Sequence, residues 1–258
     1  MKFLLVSDLH YALKQYDWTA EAAAGFDVVV IAGDHLDLSG QLDGSVQIVV
    51  ILRQLQRMAQ AAKLIVSSGN HDLDRRDESG EKVASWMDRV RRLGIPTDGD
   101  SIDYDGTLVT ICPWWDGPRA RAAVEAQLAR DAARPKDRWV WVYHAPPDDS
   151  PTSWDGRRHW GDADLNAWIG QHGPDAVFCG HIHQAPFKRG GSWVDRIGST
   201  WVFNAGSQIG PTPAHVAVNL AAGEAAWFSL AGAELVRLDG PLERTDIDAL
   251  PAWMAGGQ

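Results

Sequence analysis

The 258-residue chain is short of several things. It has two cysteines, Cys112 and Cys179, which excludes a disulfide framework and a zinc site built from thiolates. No apolar run approaches the roughly 18 residues of a membrane span. The opening Met1-Lys2-Phe3-Leu4-Leu5-Val6 starts like a secretory signal but stops at Ser7-Asp8, too early for an apolar core. Positive charge is scarce as well: 24 Lys and Arg against 34 Asp and Glu give a formal net charge of −10. Such a field does not gather polyanions, so neither a large nucleic acid nor a membrane is expected as a partner. There is no internal repeat, low-complexity tract or interdomain linker. These absences lead to the expectation of a cytoplasmic chain acting on a small molecule, with its oligomeric state open.

What is present is ordinary for a globular protein: 45% hydrophobic and 22% charged residues, on a chain long enough to bury a real core. Strand-like runs are expected at residues 3–6, 27–32, 64–67, 108–112, 139–143, 176–179, 216–220 and 225–229. Helical patterns are expected at residues 18–24, 44–62, 81–93, 119–133 and 162–171, the last with Asp162 as N-cap. This alternation argues for an α/β layered architecture. The strand-rich stretch after residue 183 suggests a second sheet packed on the first. One domain over residues 1–238, followed by a surface extension at 239–258, is the expected organisation.

Residue types that bind metal recur just after the expected strands: Asp8 and His10, Asp34, Asn70 and His71, His144, His181 and His183. In open α/β sheets, sites form beyond the carboxyl ends of strands, so these residues should meet on one rim. Six of the nine histidines (His10, His35, His71, His144, His181 and His183) lie at such ends. Nitrogen and oxygen donors without thiolate suit exchangeable divalent ions such as Mn, Fe, Zn, Co or Ni. A pair of ions needs a bridging carboxylate, and Asp34, in the middle of the series, is the natural one.

Taken in order, Asp8-Leu9-His10, Gly33-Asp34, Gly69-Asn70-His71-Asp72, His144 and Gly180-His181-Ile182-His183 resemble the motifs of the calcineurin-like metallophosphoesterase family. No phosphate-binding P-loop, dinucleotide fingerprint or nucleophile elbow competes with them. The resemblance implies a four-layer α-β-β-α sandwich with two mixed sheets. It implies two divalent metal ions, one held by Asp8, His10, Asp34 and His183, the other by Asp34, Asn70, His144 and His181. A hydroxide between them would attack phosphorus. His71 would be the general acid rather than a ligand, with Asp72 orienting it. Asp72, where protein phosphatases of the family usually carry Glu, and the compact size favour a phosphodiesterase for small diesters, nucleotide esters among them. The alternatives are a phosphomonoesterase of the same family, or a binding scaffold without activity. The scaffold is disfavoured because every expected position is filled.

Other residues carry weaker signals. Asn204-Ala205-Gly206-Ser207 resembles a late turn of the same family that supports the metal rim, with Ala in place of Pro. His35 reads as structural, and Asp37 as a turn or supporting residue. Tryptophan is abundant, 13 of 258. Trp114, Trp115, Trp154 and Trp160 lie in loops near the metal-binding types, where they either pack on the sheet or stack a flat group. Trp115, Arg157 and His159 are the candidate substrate contacts, since guanidinium groups match phosphate oxygens. Cys112 and Cys179 end apolar runs and read as inert core thiols.

Overall fold

Val28-Val29-Val30-Ile31-Ala32 is β-branched on both faces, the mark of a strand covered on both sides. A computed structural model describes residues 1–255. In chain order it contains β1 (Lys2–Val6), α1 (Leu13–Ala22), β2 (Val28–Ala32), α2 (Gly44–Ala59), β3 (Lys63–Ser67), β4 (Arg75–Arg76), β5 (Lys82–Val83) and α3 (Met87–Arg92). Next come β6 (Ser101–Tyr104), β7 (Thr107–Ile111), α4 (Pro118–Ala132), β8 (Arg138–Val142), α5 (Ala163–His172) and β9 (Ala176–Cys179). The remainder is β10 (Val194–Ile197), β11 (Thr200–Asn204), β12 (His215–Asn219), β13 (Glu224–Ser229), β14 (Gly232–Arg237), β15 (Thr245–Asp246) and α6 (Ala252–Ala255).

Two mixed sheets result. The first runs β15-β14-β13-β12-β1-β2-β3, with β1, β2 and β3 parallel and the other pairings antiparallel. The second runs β10-β11-β9-β8-β7-β6, parallel inside and antiparallel at both edges. The two-residue period of a strand decides the layering. Phe3, Leu5, Val28 and Val30 face Val109, Ile111, Val140, Val142 and Phe178 between the sheets. The alternate residues Leu4, Val6, Val29 and Ile31 pack on α1, α2 and α3 through Tyr16, Ile51, Leu55 and Val90. On the far side, Trp139, Trp141 and Val177 meet α4 and α5 through Val124, Leu128, Leu165 and Trp168. The order is α-β-β-α.

Differences from the sequence expectations have local causes. The helix expected at 81–93 is confined to α3. Lys82 and Val83 pair with β4 instead, and the Glu81 carboxylate accepts the N–H groups of Arg119 and Ala120, capping α4. The first helix starts earlier, at Leu13, and ends in a 3-10 turn at Ala23–Gly25. Strand β6 was not expected, while β10, β11 and β14 fall within the strand-rich stretch expected after residue 183. In the tail after residue 238, β15 adds an edge strand to β14, and Trp253 Nε1 donates to Glu224 Oε2 at 2.9 Å. Among the described residues, no helix is long and apolar enough to cross a membrane.

Candidate metal centre

The carboxyl ends of β1, β2, β3, β8 and β9 deliver Asp8, Asp34, Asn70, His144 and His181 to one rim. The backbone there is unusual. Asp8, His10, Asp34 and His181 adopt φ between 39° and 70°, a region side chains other than glycine avoid. Such strain gathers at functional sites. Glycine precedes several of these residues because nothing larger fits. A Cβ on Gly69 would stand 2.2 Å from Asp34 Oδ1 and 2.7 Å from His144 Nε2. One on Gly180 would stand 2.5 Å from Asp8 Oδ2.

Two donor groups share one carboxylate. Asp8, His10, Asp34 and His183 each offer an atom, all within 4.8 Å of one another; Asp34, His144 and His181 do the same. Asp34 Oδ1 accepts the His71 main-chain N–H at 2.9 Å. Its Oδ2 lies 3.3 Å from His144 Nε2, 3.8 Å from His10 Nε2 and 3.9 Å from His71 Nε2. Asp8 accepts the His181 N–H at 3.0 Å and sits 3.2 Å from His183 Nε2. The rings are aimed from behind. His10 Nδ1 donates to Leu36 O at 3.1 Å and His144 Nδ1 to Ala32 O at 2.6 Å, which leaves each Nε2 facing inward.

The residues fit a divalent cation. His144 Nε2 and Asn70 Oδ1 are buried without a hydrogen-bond partner, as is His71 Nδ1. Buried polar atoms are normally paired, and the first two are donors that such an ion accepts. The electrostatics agree. Burial pushes the Asp8 carboxyl up, but the His183 hydrogen bond and the His144 charge bring it below the usual range. Burial pushes His144 down, yet the Asp34 and Asp8 charges lift it to about 9. The two buried carboxylates thus hold a positive charge between them. Burial takes His181 to about 4, a neutral ring ready to donate its lone pair. Burial lowers His71 too.

Asp72 acts differently from the expectation. It does not orient the His71 ring. Its carboxylate, fully buried, accepts the main-chain N–H groups of Asp34, His35, Leu36 and Gly69 at 2.8–3.1 Å. Asn70–Asp72 form a single 3-10 turn, in which neighbouring side chains point to different sides. Asp72 thus ties the loop after β2 to the loop after β3.

A family model for calcineurin-like phosphoesterases matches residues 1–185. The chain belongs to that family. Among solved structures, TT1561 of Thermus thermophilus is similar at 14% identity, covering 92% of this chain and 98% of that one, with a TM-score of 0.58. Yfce, a phosphoesterase from E. coli, is 14% identical over 96% of this chain and 100% of its own, with a TM-score of 0.40. No curated protein matches the chain by sequence.

Around this family's rim, the remaining sequence candidates separate. Trp115 lines a cavity of about 350 Å³ that also touches His144 and His181. Arg157 is exposed and does not line it. His159 turns away, with Nδ1 against Ser153 Oγ at 2.9 Å and Ser150 O at 3.0 Å, so it braces its own loop. His35 is structural, packed under the rim between Tyr16 OH at 2.9 Å and Ser67 O at 3.1 Å. Asn204 donates to Thr152 O and Ile182 O, and Ser207 Oγ donates to Asp8 O, which supports the rim from below. Tyr143 and Asp162, which also line the cavity, carry no signal in the sequence: one reads as a strand end, the other as a cap.

Proposed function

We propose that this family member is a dinuclear metal-dependent phosphodiesterase for small esters, active in the reducing cytoplasm where its two buried thiols stay free. The observation that carries the reading is the shared carboxylate: Asp34 belongs to both donor groups, and the His71 ring stands beside it. Asp8, His10, Asp34 and His183 would hold one ion; Asp34, Asn70, His144 and His181 would hold the other. Such ions, when bound, acidify a water and offset charge on phosphoryl oxygens.

The chain supplies the rest. The main-chain N–H of His71 on Asp34 Oδ1 fixes that residue at the centre. His71 Nε2 then holds a proton for the departing ester oxygen, the ordinary role of a general acid. Asp72 keeps the loops that carry Asp34 and His71 in register. A diester is favoured over a monoester on charge. Among the described residues, no Lys or Arg lines the cavity beside His144 and His181, so no cationic side chain there adds to the ions in offsetting a monoester's second negative charge. Its walls suit an organic ester group instead.

The test is a comparison of initial rates on bis-para-nitrophenyl phosphate and para-nitrophenyl phosphate with Mn-loaded protein. The diester should be preferred, and Asp34→Asn should reduce turnover by at least about a hundredfold. A monoester preference would keep the centre and overturn the substrate class. Full turnover in Asp34→Asn would overturn the centre.

A further inference from the structure

The cavity beside His144 and His181 has walls that the hydrolytic chemistry does not require. Trp114, Trp115, Tyr143 and Trp160 supply four aromatic rings around about 350 Å³. Its inner end is the donor pair His144 and His181, whose rings lie 5.7 Å and 5.2 Å from that of Trp114, centroid to centroid.

These rings are held in place rather than left loose. The Trp114 main-chain N–H donates to Ser68 Oγ at 3.0 Å. Trp115 Nε1 donates to Tyr143 OH at 2.6 Å, and Tyr143 OH donates in turn to the Asp162 carboxylate. Asp162 is fixed because it caps α5, accepting the N–H groups of Asp164 and Leu165. Trp160 is 47% exposed, an unusual state for so large an apolar ring. Yet it is pinned by Nε1 on Asp155 Oδ2 at 2.7 Å and by the Arg158 guanidinium 3.3 Å over its ring.

The consequence is chemical. The polar edges of Trp115, Tyr143, Asp162 and Trp160 already have partners inside the protein. What the three rings have left for a ligand is apolar surface, with one face of Trp160 already covered by Arg158. A rigid aromatic slot with satisfied edges grips a flat ring by stacking, and it gains little from a flexible or strongly polar group. Its place next to the donor rings means that such a ring must be attached to the phosphorus-bearing part of the substrate.

We propose that this slot is a subsite for a flat aromatic substituent of the phosphate ester, either an aryl group or a nucleobase. The proposal rests on the phosphodiesterase reading for the position of the phosphoryl group, but the slot itself stands on its own geometry.

The experiment is calorimetric titration of the Mn-loaded chain with phenylphosphonate, methylphosphonate and inorganic phosphate, none of which presents an ester to cleave. Phenylphosphonate should bind about tenfold or more tightly than methylphosphonate. That ratio should fall toward one in Trp115→Ala and in Trp160→Ala; the exposed Trp160 can be removed without opening the core. Adenosine monophosphate separates the two sources: a base that beats the plain ring marks a nucleotide ester, and parity or less marks a simple aryl ester. If phosphate binds but the ring adds nothing, or if both variants keep the full ratio, the slot assignment is overturned while the centre stands. If phosphate fails to bind while phenylphosphonate binds in a Trp-dependent way, the slot stands and the centre falls. If neither binds, both fall.

Discussion

Asp34 occupies a position with almost no freedom. Its φ is 57°, one carboxylate oxygen is tied to the His71 N–H, and Gly69 passes so close that a Cβ would overlap that oxygen. Gly69→Ala should therefore weaken Mn binding by about tenfold or more and lower stability by roughly 1–3 kcal/mol. Gly25→Ala is the control, since a Cβ there meets nothing within 4 Å. Metal titration and urea unfolding of both variants check this; equal behaviour would show that the loop simply yields. Much of the rim can be read from residue types alone. The donors cluster just after apolar, strand-like runs, and Asp, Asn and His are residue types that bind divalent ions. The role of Asp72 cannot be read that way. Its partners are main-chain N–H groups, three of them more than 35 positions away, and a backbone amide leaves no mark in the sequence.

At the scale of elements, strands covered on both faces were legible because burial demands unbroken β-branched or aromatic runs. The edge strand β15 was not, because its two residues are both exposed and too few to carry a pattern. The segment at 81–93 misleads for another reason: Glu81, read as a helical residue, serves the amino end of α4. The middle strand β12 makes a pH prediction. Its His215 is buried, stacked on Phe228 at 5.2 Å and against Trp18 at 4.5 Å. Burial takes it down to about 4, with Nδ1 donating to Pro213 O. The unfolded chain therefore takes up this proton first as pH falls below about 6.5. Stability from the neutral ring is present above that value and is lost between about 6.5 and 4. In His215→Gln, the drop in unfolding free energy between pH 7 and pH 5 should shrink by about 2 kcal/mol. An unchanged drop in urea titrations would mean that His215 is protonated without opening the fold.

For the molecule as a whole, the centre ties the layers together. Asp8, His10 and Asp34 come from the first sheet and its loops, His144, His181 and His183 from the second. A bound ion therefore bridges both sheets and stabilises the native state by mass action. At a hundredfold excess over its dissociation constant it contributes about 2.7 kcal/mol. Chelation should then lower the melting midpoint by about 5–10 °C for a chain of this length. Asp34→Asn should melt at nearly the same temperature with and without chelator. Identical melts of the unaltered protein would show that no ion is shared between the sheets.

The pairing of β1 carries a consequence for synthesis. One of its neighbours, β2, follows within a few dozen residues, but the other, β12, begins only at His215, and Lys2 lies opposite Asn219. Until that late segment leaves the ribosome, an apolar strand waits with one edge bare, a template for the wrong partner. The candidate metal-binding residues all precede β12, so they are made before the strand that pairs with β1. A ribosome that stalled between the two would release an aggregation-prone fragment rather than a smaller enzyme.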